Sequence, residues 1–204
     1  MEDTYRTVLK PSTEILFKDK NSKFYGYTFP FSSEDHLKDI ISELKSKHPK
    51  AGHFCYAYQI GKSEKDFIFR VNDDGEPNNS AGMPIYGQIQ SFDLTNILIV
   101  IVRYFGGTKL GVSGLINAYK SSSELALKVS KIVQKTINVN YLISFEYKNM
   151  NKVMRIIKEK NLKIIDQKLE LSCEITISIR KKDAKSIFEN FDRLYEIDIK
   201  NLTD

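Results

Sequence analysis

The sequence predicts an α+β protein of two domains. Three observations lead there. An unbroken apolar run, "NILIVIVRYF", enters a glycine-rich corner and then a segment with helical spacing. The last third alternates apolar and polar residues over long stretches, in the order βαββαβ. The texture changes near Gln134–Thr136, so the expected domains are 1–135 and 136–204.

Taken in order, "EILFKDKNSKFYGYTF" (14–29) reads as two strands around the polar turn Lys20-Asn21-Ser22-Lys23. In "SSEDHLKDIISELKSKHP", Leu37, Ile40, Ile41 and Leu44 recur at helical spacing, Ser33 is an N-cap candidate, and Pro49 lies beyond the end. "HFCYAYQI" and "DFIFRV" read as strands joined by "GKSEK". Gly75, Pro77, Gly82 and Pro84 make the next segment a loop, with a short helix up to Gln90. "NILIVIVRYF" has the continuous apolarity of a strand covered on both faces, and a long helix to about Lys135 follows the corner.

Beyond 136, "INVNYLISFEY" places Ile137, Val139, Tyr141, Ile143 and Phe145 on one face. Met150, Val153, Met154 and Ile157 mark a helix. "LKIIDQKL" and "LSCEITISIR" follow as strands, the second with Leu171, Cys173, Ile175, Ile177 and Ile179 on one face. Ala184, Ile187, Phe188 and Phe191 mark a second helix, and "LYEIDIK" closes the unit. Four antiparallel strands with two helices on one face is the ferredoxin-like arrangement.

Bulk properties narrow the class. Hydrophobic content of 41% and charged content of 28% suit a soluble globular chain. No run reaches the roughly 18 apolar residues of a membrane span, and "MEDTYRTVLKPSTE" has no apolar signal core, so a cytoplasmic location without membrane association is expected. Cys55 and Cys173 are far apart, lack metal spacing, and read as buried free thiols. A net charge of +5 permits a nucleic-acid partner, although the lysines are scattered.

Three stretches have side chains suited to chemistry. "RYFGGTKLGVSG" (103–114) fails both common nucleotide patterns: Val112 stands where the Walker lysine belongs, and the glycine spacing is wrong for a dinucleotide loop. It remains a strand–corner–helix whose backbone N–H groups point outward. Gly106, Gly107 and Gly111 allow close approach there, Thr108, Lys109 and Ser113 add donors, and Arg103 lies just upstream. An anion site and a purely structural corner are both consistent with it. In "DDGEP", the carboxylates of Asp73, Asp74 and Glu76 suit a polar or metal-binding loop or acid–base work, but the EF-hand alternation is absent and Asp-Gly is an ordinary turn. In "HFCYAY", His53 and Cys55 share a strand face, as a nucleophile–base pair or a structural pair. No metal or cofactor motif is present, and none is expected.

Together, "AGHFCYAY", "NDDGEPNNSAGMPI" and "NILIVIVRYFGGTKLGVSGLINAY" resemble the signature of the YigZ/IMPACT family. The matching positions include His53, Cys55, Tyr58, Asp73 to Pro77, Gly82, Arg103, Gly106, Gly107, Lys109, Gly111, Ala118 and Tyr119. The resemblance implies an N-terminal ribosomal-protein-like βαβ sandwich, similar to the fourth domain of elongation factor G, and a C-terminal ferredoxin-like domain. It implies a cytosolic protein tied to translation control, with RNA, the ribosome or a translation-control protein as partner. Nucleic-acid or anion contacts are then expected from Arg103, Gly106, Gly107, Thr108, Lys109, Gly111 and Ser113, without catalysis. An enzyme acting on a phosphorylated or carboxylated ligand through the DDGEP carboxylates, and a protein–protein adaptor, are the alternatives. Three positions depart from the signature: Phe54 stands for a usual asparagine, Ser113 for a glycine, and Asn117 for an arginine, which Lys120 one turn along is placed to replace.

Overall fold

A computed structural model describes residues 3–202. Two compact units emerge. One runs Tyr5–Lys135; the other holds the chain from Thr136 onward, together with Asp3 and Thr4.

The first unit is built on a five-stranded antiparallel sheet. Its strands are β2 (Ile15–Asp19), β3 (Ser22–Pro30), β4 (His53–Ile60), β5 (Ile68–Asn72) and β6 (Ile97–Tyr104), in the spatial order β2-β3-β6-β4-β5. The β2–β3 turn is tighter than expected. Only Lys20 and Asn21 lie outside the ladder, both with positive φ (42° and 64°), and Asp19 pairs with Ser22. Such a two-residue turn matches the twist of the flanking strands.

Period 2 divides the sheet into two cores. Cys55, Ala57, Ile97, Ile99 and Ile101 face α2 (Gly82–Ser91) and α3 (Gly111–Lys128). Phe54, Tyr56, Tyr58, Leu98, Val100 and Val102 face α1 (Leu37–Lys47). Strand β6 is therefore buried on both faces, which is why its sequence shows no alternation. Each aliphatic side chain so buried contributes on the order of 2 kcal/mol. Ser33 does act as a cap, accepting from Asp35 N–H at 3.3 Å, but it caps a 3-10 turn at Glu34–His36 that leads into α1.

One expectation for this unit needs correction. Helix α3 stops at Lys128, not near Lys135: Ile132–Thr136 is a strand, β7, paired with β1 (Thr4–Val8) at the other end of the unit. Val129, Ile132 and Val133 fit helical spacing, but the β-branched pair extends once it has a partner strand. The pairing partner lies more than a hundred residues away, so no local window reveals it.

The second unit has strands β8 (Asn138–Glu146), β9 (Lys163–Leu169), β10 (Ser172–Arg180) and β11 (Ile197–Asn201), with helices α4 (Met150–Glu159) and α5 (Lys181–Asp192). The antiparallel order β11-β8-β10-β9 is that of a ferredoxin-like sheet. Tyr141, Ile143, Phe145, Cys173, Ile175, Ile177 and Ile179 form its buried face with Val153, Ile157, Ala184, Ile187 and Phe191 from the helices. Leu171, expected on that face, is 91% exposed, because it falls in the β9–β10 turn before the ladder begins. Among the described residues no helix is long and apolar enough to cross a membrane.

Candidate functional site

The DDGEP loop joins β5 to α2 and folds over the end of β4. Its turn uses positive φ at Asp74 (41°) and Gly75 (85°). Each of its carboxylates has protein partners. Asp73 Oδ1 accepts the N–H groups of Ala81 (2.9 Å) and Gly82 (2.8 Å), and Oδ2 accepts that of Asn79 (2.9 Å). Asp73 thus caps α2, with its charge at the positive end of the helix dipole. Helix α2 starts hard against β5: a Cβ on Gly82 would lie 2.9 Å from Asn72 N. Asp74 Oδ2 accepts the Phe54 N–H at 2.6 Å, fastening the loop to β4.

Glu76 turns inward and is 8% exposed. Its Oε1 receives Arg103 Nη1 at 2.6 Å and the Tyr119 hydroxyl at 2.8 Å. Three elements of the signature therefore converge on one oxygen: the loop, the end of β6 and the middle of α3. Arg103 is itself 5% exposed, lies over the Phe24 and Phe105 rings at 5.5 and 5.6 Å, and reaches Ser22 Oγ at 3.4 Å. The expected position of Arg103 beside a surface anion is therefore not what the fold provides. Its odd-numbered register on β6 points it into the α2–α3 side of the sheet, where Glu76 meets it.

Cys55 is fully buried in the same cluster. Its S–H faces the Asp73 carbonyl (3.0 Å) and the Tyr119 hydroxyl oxygen (3.2 Å), whose own proton goes to Glu76. Burial pushes the thiol well above its ordinary range, and the carboxylates of Glu76, Asp74 and Asp73 add to the rise. The thiol is thus protonated near neutrality and unsuited to be a nucleophile. Burial likewise drives the Tyr119 hydroxyl far up. His53 Nδ1 donates to the Asp74 carbonyl at 2.8 Å, leaving Nε2 3.9 Å from Glu76 Oε1. His53 is the one member with a substantial opening to solvent, its side chain 25% exposed. It has no hydrogen bond to Cys55 among the described residues. Tyr58 belongs to the opposite core, where its hydroxyl donates to Glu34; burial and that carboxylate push it up to about 12.

The glycine corner contrasts with this interior. Gly106 is held by close approach: a Cβ there would lie 2.1 Å from Asn21 C and 2.3 Å from Ser22 N, and its own N–H donates to Ser22 Oγ at 3.2 Å. Gly107 and Gly111 have φ of +85° and +76° and face open space. Helix α3 starts at Gly111 without a side-chain cap, so its first N–H groups have no capping side chain. Thr108, Lys109 and Ser113 are exposed around that start. Lys120 is exposed too, but nine residues into the helix, about 13 Å along its axis. The corner therefore gathers Thr108, Lys109 and Ser113, leaves Lys120 apart, and excludes Arg103.

The residue types of Ser22 and Tyr119 do not mark them as members of a polar cluster, and Tyr119 stands out in the sequence only as a signature position. Tyr119 lies in the buried stripe of α3 with Leu115, Ala118 and Ser122, and a tyrosine in such a stripe needs a partner for its hydroxyl. That was the available signal. No cluster of three or more His, Cys, Asp or Glu suited to a metal ion occurs among the described residues.

Comparison with known proteins gives a consistent result. The family model of the Impact N-terminal domain matches residues 20–127. The IMPACT family member YvyE of Bacillus subtilis is 30% identical over 190 residues, spanning 93% of this chain and 86% of its own. An IMPACT family member from Haemophilus influenzae is 28% identical over 180 residues, 87% of each chain. The crystal structure of a hypothetical protein superposes over 100% of both chains with a TM-score of 0.75 at 22% identity, a likeness of fold.

Proposed function

Because this chain belongs to the IMPACT family, we propose that it is a cytoplasmic regulator of translation that works by binding RNA or the ribosome, without catalysis. The observation behind this reading is the open start of α3. Uncapped N–H groups, Lys109, Thr108 and Ser113 surround one exposed corner on a chain of net charge +5. Backbone donors at a helix start favour a phosphate oxygen, and a nearby ammonium adds attraction that salt screens.

The carboxylates that an enzyme would need are otherwise engaged. Asp73 caps a helix, Asp74 holds a strand, and Glu76 is bonded to Arg103 and Tyr119. This favours binding over acid–base chemistry. The ferredoxin-like sheet supplies no aromatic pair on the polar face of β10, where Glu174, Thr176 and Ser178 stand, so base stacking is not assigned to it. Purification of the tagged chain from cells under low salt tests the proposal. Ribosomal RNA or another RNA should accompany it and dissociate as salt rises. Recovery of one stoichiometric protein free of RNA would instead support an adaptor.

A further inference from the structure

The α1 side of the N-terminal sheet, opposite the Glu76 cluster, contains a groove of about 530 Å³ between α1, β4 and β5. That volume lies in the range of small-molecule sites. Phe54 and Tyr56 form its floor, since even-numbered residues of β4 project toward α1. Three cations stand around it: Lys38 and Lys45 on α1, and Arg70 on β5. The two lysines are seven residues apart, two helical turns, and so share a face. Lys45 Nζ is 5.7 Å from the centroid of the Phe54 ring. Lys38 and Lys45 form no ion pair among the described residues, and Arg70 lies against the Tyr58 hydroxyl that Glu34 also holds. Two carboxylates also line the groove, Glu34, which accepts from the Tyr58 hydroxyl, and Asp74, which accepts from the Phe54 N–H, so the cations outnumber the acids by one.

The groove thus combines an aromatic floor with a rim of three cations and two carboxylates, net positive by about one charge. An inorganic anion would use only the rim, and an apolar side chain only the floor. We propose that this groove binds a nucleoside monophosphate, with its base against Phe54 and Tyr56 and its phosphate among Lys38, Lys45 and Arg70. Aromatic faces accept any base, and the guanidinium of Arg70 suits phosphate oxygens. The same chemistry is presented by a free nucleotide and by one residue of an RNA strand. The site is on the opposite sheet face from the α3 corner, and its success or failure is independent of the role proposed for that corner.

Calorimetric titration of the full chain with AMP, adenosine, inorganic phosphate and a short RNA oligomer tests it. AMP should saturate in the submillimolar range, with adenosine and phosphate each at least about tenfold weaker. Lys45→Ala and Arg70→Ala, both at exposed positions, should each weaken AMP by about tenfold. Phe54→Asn should weaken adenosine as well, and its circular dichroism separates lost binding from lost fold. Displacement of AMP by the oligomer identifies an RNA strand as the source, and failure to displace it identifies the free nucleotide. No AMP saturation up to about 10 mM, or AMP binding unchanged in both cation variants, would overturn the proposal.

Discussion

Two regions of the same sequence signature behave in opposite ways. The DDGEP loop looks chemical, with three carboxylates in four residues, yet Asp73, Asp74 and Glu76 each accept a hydrogen bond from a protein donor. The glycine corner looks like a structural turn, yet apart from Gly106 it faces solvent with donors to spare. Residue type alone ranks the two regions in the wrong order of availability. What separates them is whether a partner for each polar group is already present in the fold.

The largest expected effect comes from removing the centre of the interior region. Glu76→Ala leaves Arg103 buried without its carboxylate. It should lower unfolding free energy by about 3–5 kcal/mol in denaturant titration. A loss below about 1 kcal/mol would mean that the cluster is open to water and no different from the corner. Next is Gly106→Ala, which drives a methyl into the Asn21–Ser22 backbone and should cost about 1–3 kcal/mol. Gly107→Ala, with open space but a positive φ, should cost only about 1 kcal/mol. This pair distinguishes close approach from backbone freedom within a single corner.

Alkaline pH probes the interior by another route. Folded Cys55 and Tyr119 hold their protons above the ordinary ranges of thiol and phenol. The unfolded chain releases those protons at lower pH than the folded chain, so folding loses stability as pH rises. The Cys55 contribution is complete below about pH 8.5 and falls above it by about 1.4 kcal/mol per pH unit, whereas that of Tyr119 begins to fall only above about pH 10. Unfolding followed from pH 7 to 10 should show this slope, and Cys55→Ala should reduce it. Asp73→Ala should cost about 1–2 kcal/mol through loss of the α2 cap. The smallest effect belongs to the exterior: Lys109→Ala should change stability by less than about 0.5 kcal/mol.

Much of the architecture was legible from periodicity. The alternation of Tyr141, Ile143 and Phe145 and the spacing of Val153 and Ile157 specify a half-covered sheet and the helix that covers it. The unbroken run in β6 announced two covered faces. Strand β7 was not legible, because Ile132 and Val133 suit either state until β1 supplies hydrogen bonds from a distant part of the chain. The site was legible as a set of residues but not as an arrangement. Arg103 reads as a surface cation until β6 register places it on the same side as Glu76 and Tyr119. Leu171 reads as core until the turn that holds it is known. In each case the missing quantity was a long-range pairing or a register.

Salt-titrated RNA binding by the intact chain and by Lys109→Ala tests the central claim, that the open corner is the functional half of the signature. Binding by the variant should be weaker at every salt concentration, with the slope of log affinity against log salt reduced by about 1. Equal affinity and equal slope for the two proteins would contradict it.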